Sequence, residues 1–137
     1  METTIHIERS ADVLESREQG RQLARAMGFN RVDQTRIATA ISEMTRNVLQ
    51  HSRSTGQIRM EKVTRGLQSG LCIEVTDTGC GISDLQQAEK EGFSTASSLG
   101  AGIPGTRRIM DEFHIESEPG KGVSVTMIRW LPVVLAS

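Results

Sequence analysis

Residues 57–76 read QIRMEKVTRGLQSGLCIEVT and contain two strand-like runs on either side of a turn. The runs are Gln57 to Val63 and Leu71 to Thr76, and residues 65–70 between them are rich in turn-forming types. Apolar residues occupy alternate positions of the second run and therefore point to one face of a strand: Leu71, Ile73 and Val75. The stretch predicts a β-hairpin, which is an antiparallel pair with one buried face.

Upstream of the hairpin, the periodicity predicts one strand and two helices. Thr3 to Glu8 alternates as a short strand, and a helix follows from Ser10, its expected N-cap, to Met27, with Gly28 at its C′ position. A longer helix spans Asn30 to His51, because four apolar residues step along one helical stripe: Ile37, Ile41, Met44 and Val48. Both helices are expected to cover a core.

Downstream of the hairpin, a polar and glycine-rich segment extends from Asp77 to Gly105, with a short helix predicted near Leu85 to Glu91. A helix is predicted at Thr106 to Phe113, and a last hairpin pairs Ile115 to Ser117 with Gly122 to Trp130. The predicted order is β-α-α-β-β-α-β-β. Strands gathered into hairpins with helices between them predict a two-layer α/β sandwich, in which a mostly antiparallel sheet carries helices on one face.

The composition is that of one globular domain, residues 1–137, and it argues against nucleic acid as a partner. Sixteen Lys and Arg against 17 Asp and Glu give a net charge of −1, so no summed positive field attracts a phosphate backbone. With no Tyr, one Trp and three Phe, the chain also lacks the aromatic platforms on which single strands stack.

The cysteines, histidines and apolar runs argue against a zinc site and a membrane span. Cys72 and Cys80 lie outside any Cys-x-x-Cys pair, and the three histidines are scattered. No apolar run approaches the roughly 18 residues that a membrane span requires, and the N-terminus is acidic rather than signal-like. We therefore expect a cytoplasmic protein with reduced thiols.

Glu43 and Asn47 form the first candidate group, on the long predicted helix. At about 100° per residue they lie together, one turn apart and roughly 100° from the centre of the apolar stripe. A carboxylate and a carboxamide at the edge of a core can present hard oxygen ligands or a base to a pocket beside the helix. A solvated polar face is the alternative, and the pair taken alone favours it.

The second candidate group, Asp77-Thr78-Gly79-Cys80-Gly81, directly follows an apolar strand, so its carboxylate emerges at a strand end. Gly79 and Gly81 permit a turn with positive φ and let a ligand lie against bare backbone. An ordinary Asp-x-Gly turn is the alternative. Asp-Thr-Gly also occurs in the aspartic protease loop, but that fold is all-β and two long helices argue against it.

The third candidate group, Gly100 to Gly105, matches G-x-G-x-x-G and precedes the predicted helix, with Pro104 at an early position. Backbone N–H groups and the positive helix end would cradle phosphates there. The dinucleotide fingerprint requires an apolar strand before the first glycine, whereas residues 94–99 are mostly polar, so a Rossmann site is not supported. The sequence also lacks the H-R-D and D-F-G motifs of eukaryotic-type kinases and the G-x-x-x-x-G-K-[ST] phosphate loop.

In this order, Glu43-x-x-Arg46-Asn47, Asp77-x-Gly79-x-Gly81 and Gly100 to Gly105 resemble the GHKL ATPase family and its Bergerat nucleotide-binding fold. The likeness extends from Ile5 to Leu131 and is strongest with the small anti-sigma-factor and switch-protein serine kinases. It implies a kinase of bacterial stress signalling that phosphorylates a STAS-domain protein with ATP and Mg²⁺ and, when free, activates a PP2C-type phosphatase. The alternative is an ATP-gated binding module that sequesters a sigma factor or a phosphatase with little or no phosphate transfer.

The resemblance also implies roles for individual residues. Glu43 would be the catalytic base, Asn47 would ligate a Mg²⁺ ion that bridges the nucleotide phosphates, and Asp77 would accept a hydrogen bond from the adenine amino group. Gly79 and Gly81 would shape the adenine pocket. The remaining ATP contacts would come from hydroxyl groups and from the backbone of a glycine lid: Ser94, Thr95, Gly100, Gly102 and Gly105.

One position departs from the family pattern. Val123 follows Gly122 where the family often has a threonine that bonds near the adenine. The absence of such a neutral hydrogen bond costs about 0.5–1.5 kcal/mol, so weaker ATP binding is expected but not its loss. Neither Arg46 nor His51 is assigned a role, and Arg46 is interpreted as a residue that faces the surface or a partner.

Overall fold

The computed structural model describes residues 2–51, 55–77, 99–118 and 122–133. These ranges contain the following elements in chain order: β1 (Glu2–Ile7), α1 (Ser10–Met27), α2 (Arg31–His51), β2 (Gly56–Arg65), β3 (Gln68–Asp77), α3 (Leu99–Ile109), β4 (Glu112–Glu118) and β5 (Gly122–Trp130). The order matches the predicted one across the described ranges. The helix predicted near Leu85 to Glu91 lies outside them.

The strands form one sheet in the order β1-β2-β3-β5-β4, and every neighbouring pair is antiparallel. The predicted hairpin is confirmed as β2 and β3, although both strands are longer than expected. Arg65 pairs with Gln68, which leaves Gly66 and Leu67 as a two-residue turn. Gly66 has a φ of 62°, a backbone conformation that glycine adopts without steric cost and that tight hairpin turns require.

The core lies between the sheet and the helices, as the two-layer prediction requires. Ile58 of β2 pairs with Val75 of β3, which pairs with Val125 of β5, and all three side chains are buried. The predicted stripe of α2 packs against this row and is also buried: Ile37, Ile41, Met44 and Val48. No helix of the described ranges is long and apolar enough to cross a membrane.

The start of α1 differs from the prediction by one residue. Arg9, not Ser10, is the N-cap, and Ser10 is the first helical residue. The Asp12 carboxylate accepts hydrogen bonds from the backbone N–H groups of Glu8 at 2.9 Å and Arg9 at 3.0 Å, and these bonds lower the pKa of Asp12. An acid in the first turn therefore stabilises this terminus. At the other end Gly28 is left-handed as predicted, with a φ of 101°.

The largest difference concerns α3. It begins at Leu99 instead of Thr106 and ends at Ile109, while Phe113 belongs to β4 rather than to the helix. Three residues at helical spacing bury one face of the segment: Ile103, Thr106 and Met110. Packing beside α2 therefore outweighs the low helix propensity of the glycines and of Pro104.

Candidate functional site

Helix α2 places Glu43 and Asn47 at the edge of the core, as the periodicity predicts. Their neighbours Met44 and Val48 are 2% exposed, whereas the Glu43 side chain is 37% exposed and Asn47 is half-buried. Arg46 Nη1 lies 3.3 Å from Glu43 Oε1. The carboxamide of Asn47 forms no hydrogen bond to any residue of the described ranges. A half-buried amide without a protein partner is available to a ligand.

Strand β3 ends at Asp77, so the predicted acid does lie at a strand end. Its Oδ1 accepts a hydrogen bond from the backbone N–H of Val123, the second residue of the neighbouring strand β5, at 3.3 Å. The two positions that the resemblance connects with adenine are thus in contact. The Val123 side chain packs against the core, so it adds no polar group beside the carboxylate.

Gly56, at the start of β2, joins the α2 part of the site to the Asp77 part. A Cβ atom at this position would lie 2.4 Å from the carbonyl oxygen of Thr76, 2.8 Å from Val48 Cγ1 and 3.3 Å from Asp77 Cβ. The absence of a side chain therefore lets the α2 turn that carries Asn47 approach the end of β3. Sequence reasoning missed Gly56, although a glycine within a strand often marks such a close approach.

The glycine segment lies on α3 and not in a loop before a helix, which corrects the expectation for Gly100, Gly102 and Gly105. Because the first turns of a helix carry N–H groups without intrahelical partners, the donors that could meet a phosphate lie near Leu99 rather than near Thr106. A Cβ atom at Gly105 would meet nothing within 4 Å. Gly79, Gly81, Ser94 and Thr95 lie outside the described residues, so their roles stay predictions.

The donor set fits a magnesium nucleotide. Glu43, Asn47 and Asp77 offer carboxylate and carboxamide oxygens, which are the ligand types that Mg²⁺ prefers. Mg²⁺ in nucleotide sites usually takes only one or two protein groups, with phosphates and waters as the other ligands, so one amide from α2 is sufficient. The start of α3 lies in the same layer as α2 and adds backbone donors for an anion.

Comparison with protein families identifies one match over most of the chain. Residues 32–134 match the profile of the family described as histidine kinase-, DNA gyrase B-, and HSP90-like ATPase.

Two relatives match over more than two thirds of their own length. The chain is 44% identical over 120 residues to the serine/threonine-protein kinase RsbT of Bacillus subtilis (strain 168). This match covers 88% of this chain and 90% of that protein. It is 34% identical over 100 residues to the anti-sigma F factor of Thermoanaerobacter sp. (strain X514), covering 69% of this chain and 68% of that protein.

Among solved structures, the mycobacterial sensor histidine kinase MprB superposes with a TM-score of 0.57 at 11% sequence identity. The superposition covers 95% of this chain and 97% of the other. At this identity the likeness concerns the fold alone.

Proposed function

The chain belongs to the histidine kinase-, DNA gyrase B- and HSP90-like (GHKL) ATPase family, and from this premise we propose that it is a protein-serine kinase of a bacterial partner-switching stress module, dependent on ATP and Mg²⁺. The observation that carries the proposal is the meeting of α2 and β3 at Gly56, which brings the turn with Asn47 up to Asp77. The proposed phosphoryl acceptor is a serine of a STAS-domain protein, and the proposed second partner is a PP2C-type phosphatase.

Each end of the nucleotide has a residue assigned to it in this proposal. Asp77 accepts a hydrogen bond from the adenine amino group, and Asn47 holds the metal beside the phosphates. A bound Mg²⁺ ion would neutralise phosphate charge. The backbone at the start of α3, with Gly100 and Gly102, and the open side of Gly105 face the phosphates, while Gly79, Gly81, Ser94 and Thr95 complete the contacts.

Glu43 is the proposed general base. It takes the proton of the acceptor serine as the hydroxyl oxygen forms a bond to the γ-phosphorus. The bond between that phosphorus and the β–γ bridging oxygen breaks, and ADP leaves with the electron pair. Arg46, which lies 3.3 Å from Glu43, holds the carboxylate at the surface of α2 before the serine arrives.

A second candidate function uses the same nucleotide site. The likeness to an anti-sigma F factor favours a binding module that sequesters a sigma factor or a phosphatase when ATP is bound, with little or no phosphate transfer. The two candidates differ in whether Glu43 acts on a proton.

The test compares Glu43→Gln with Asp77→Asn in two assays, transfer of labelled phosphate from ATP to purified STAS-domain proteins and calorimetric binding of a non-hydrolysable ATP analogue with Mg²⁺. Glu43→Gln should lower the transfer rate by roughly 10²- to 10⁴-fold and leave nucleotide affinity nearly unchanged. Asp77→Asn should lower nucleotide affinity by about 10- to 100-fold, because a hydrogen bond to a charged group is weakened.

Glu15→Gln is the matched control, because Glu15 is an exposed carboxylate on α1, away from the site. It should change neither assay. Equal labelling by the unmodified protein and by Glu43→Gln would contradict the base assignment. If the unmodified protein labels none of the STAS-domain proteins but binds a sigma factor or a phosphatase in the presence of ATP, the binding module is the correct function.

A further inference from the structure

The side of the sheet opposite the helices carries a second set of side chains, because residues alternate between the two faces along each strand. In β3 the buried Ile73 alternates with Cys72 and Glu74, and the same alternation runs through the neighbouring strands. In the described ranges the helices pack on the other side. We call this surface the open face, and it carries five glutamates in the described ranges, three on the edge strands β1 and β4 and two on the inner strands β2 and β3. We refer to these five as the charged rim of the apolar patch described below: Glu2, Glu61, Glu74, Glu112 and Glu116.

The open face is acidic even after its own ion pairs are considered. Arg59 lies 3.9 Å from Glu2, 3.5 Å from Glu61 and 3.8 Å from Glu74. Arg65 lies 3.0 Å from Glu112. Five carboxylates against these two guanidinium groups leave a net charge of −3 with the histidines neutral, whereas the whole chain carries −1. The remainder of the chain is therefore net positive, and the negative charge is concentrated on this face.

An apolar patch lies toward one end of the open face, where β3 begins and β5 ends. Cys72 of β3 pairs with Ile128 of β5, and both are half-buried. Next to them Trp130 packs flat on Gly70, where a Cβ atom would lie 2.6 Å from the indole ring. A tryptophan beside an aliphatic side chain, with charged side chains next to them, is a composition common in protein–protein interfaces.

The indole of Trp130 is fixed in place by two neighbours. Glu112 Oε2 accepts a hydrogen bond from Trp130 Nε1 at 2.6 Å and another from Arg65 at 3.0 Å. The Arg65 guanidinium lies over the ring, 4.7 Å from its centroid. An aromatic side chain that is already ordered loses little entropy when a partner covers it.

We propose that the open face is a docking surface for a partner protein that presents basic side chains around an apolar residue. Charge complementarity selects this occupant: nucleic acid and anionic lipid surfaces carry the same sign of charge as the rim, and so does the same face of a second copy. The inference goes beyond the proposed function, because α2 carries Glu43 and Asn47 on the other side of the sheet. A partner docked on the open face leaves the nucleotide site accessible.

The probe for this surface is a short amphipathic synthetic peptide of lysine and leucine, which has the proposed charge and apolar character and no aromatic residue. The chain contains one Trp and no Tyr, so its intrinsic fluorescence at tryptophan wavelengths comes from Trp130 alone. Titration of the peptide should change this emission in a saturable way. The affinity should fall as salt is added, because rim charges are screened.

Two double variants that lose the same amount of negative charge test whether binding depends on the open face or only on the net charge of the protein. Glu74→Gln with Glu116→Gln should weaken peptide binding by about fivefold, since two rim charges contribute roughly 0.5 kcal/mol each. Glu15→Gln with Glu18→Gln, on α1, should leave the affinity unchanged. Circular dichroism establishes that each variant is folded.

Four results would overturn the proposal. One is equal weakening by the two pairs of substitutions. Another is saturable binding without a change in Trp130 emission, and the third is no saturable binding at all. Equal affinity for a glutamate and leucine peptide of the same pattern would also contradict it. None of these results bears on ATP binding or phosphate transfer, so the proposed function is tested separately.

Discussion

Among single residues, Gly56 shows most directly how packing creates the candidate site. Glu43, Asn47 and Asp77 each have an ordinary structural interpretation when taken alone. They become one site because Gly56, at the start of β2, has no side chain. Atoms of α2 and of β3 therefore lie where a Cβ atom would otherwise be. The functional importance of Gly56 is therefore its lack of a Cβ atom rather than any chemistry of its own.

Gly56→Ala should lower both stability and nucleotide affinity. Its methyl group would meet a backbone oxygen at 2.4 Å, which cannot move as a flexible side chain would. Overpacking of this kind costs about 1–3 kcal/mol, and the resulting shift separates Asn47 from Asp77. Urea unfolding and calorimetry with the ATP analogue measure the two effects.

Gly70→Ala provides the control, since its methyl group would meet the Trp130 ring at 2.6 Å on the open face, far from α2. It should cost a similar amount of stability but leave nucleotide affinity unchanged. If the two alanine variants lose affinity equally, the role assigned to Gly56 is wrong.

At the scale of elements, Arg129 of β5 connects the ends of two helices. Its guanidinium lies 2.9 Å from Asp33 in the first turn of α2 and donates a 2.9 Å hydrogen bond to the carbonyl of Ile109, the last residue of α3. Arg129 and Asp33 are only 18% and 10% exposed. A largely buried ion pair and a hydrogen bond therefore fix α2 and α3, the two helices that carry proposed site residues, to the sheet.

Arg129→Met should destabilise the fold by about 3 kcal/mol, because it leaves the Asp33 carboxylate and a helix-terminal carbonyl without this partner. Arg36→Met is the matched comparison: Arg36 pairs with the same carboxylate at 3.3 Å but is 47% exposed, so its loss should cost less than about 1 kcal/mol. Urea unfolding measures both. Equal destabilisation by the two variants would show that burial does not set the strength of this contact.

At the scale of the whole molecule, several carboxyl groups make the free energy of unfolding fall as the pH becomes acidic. Hydrogen bonds from the Glu8 and Arg9 backbone lower the pKa of Asp12, those from Arg21 lower the pKa of Glu18, and those from Trp130 and Arg65 lower the pKa of Glu112. A carboxyl group with a lowered pKa in the folded state stabilises the fold above its ordinary pKa. That stabilisation is lost as the pH falls through the lowered value.

Stability should therefore fall as the pH drops below about 4.5, the ordinary value for Glu18 and Glu112, and continue to fall below 3.8, the ordinary value for Asp12. Urea midpoints measured across this range record the slope. The triple variant Asp12→Asn, Glu18→Gln, Glu112→Gln should show a smaller slope. An unchanged slope in that variant would assign the acid sensitivity to other carboxyl groups.

The elements with regular local patterns were predicted well. The strand β2, the alternation in β3 and the stripe of α2 are confirmed, since burial of one face imposes a period that is visible in a single sequence. The positions of Glu43 beside the core and of Asp77 at a strand end follow from the same periods. The predicted start of α3 is wrong: the glycines and Pro104 favour a loop, whereas the folded segment buries Ile103, Thr106 and Met110 at helical spacing.

The fold class, the order of the elements and the residue types of the site can be predicted from the sequence, because these depend on short-range periodicity and on motifs that lie within a few residues. Which of these residues meet is visible only in the folded chain. The Val123 amide on Asp77, the approach of α2 to β3 at Gly56 and the concentration of glutamates on the open face all join residues from different elements. Such contacts depend on how strands pair and how closely layers pack, and no local pattern encodes either of these.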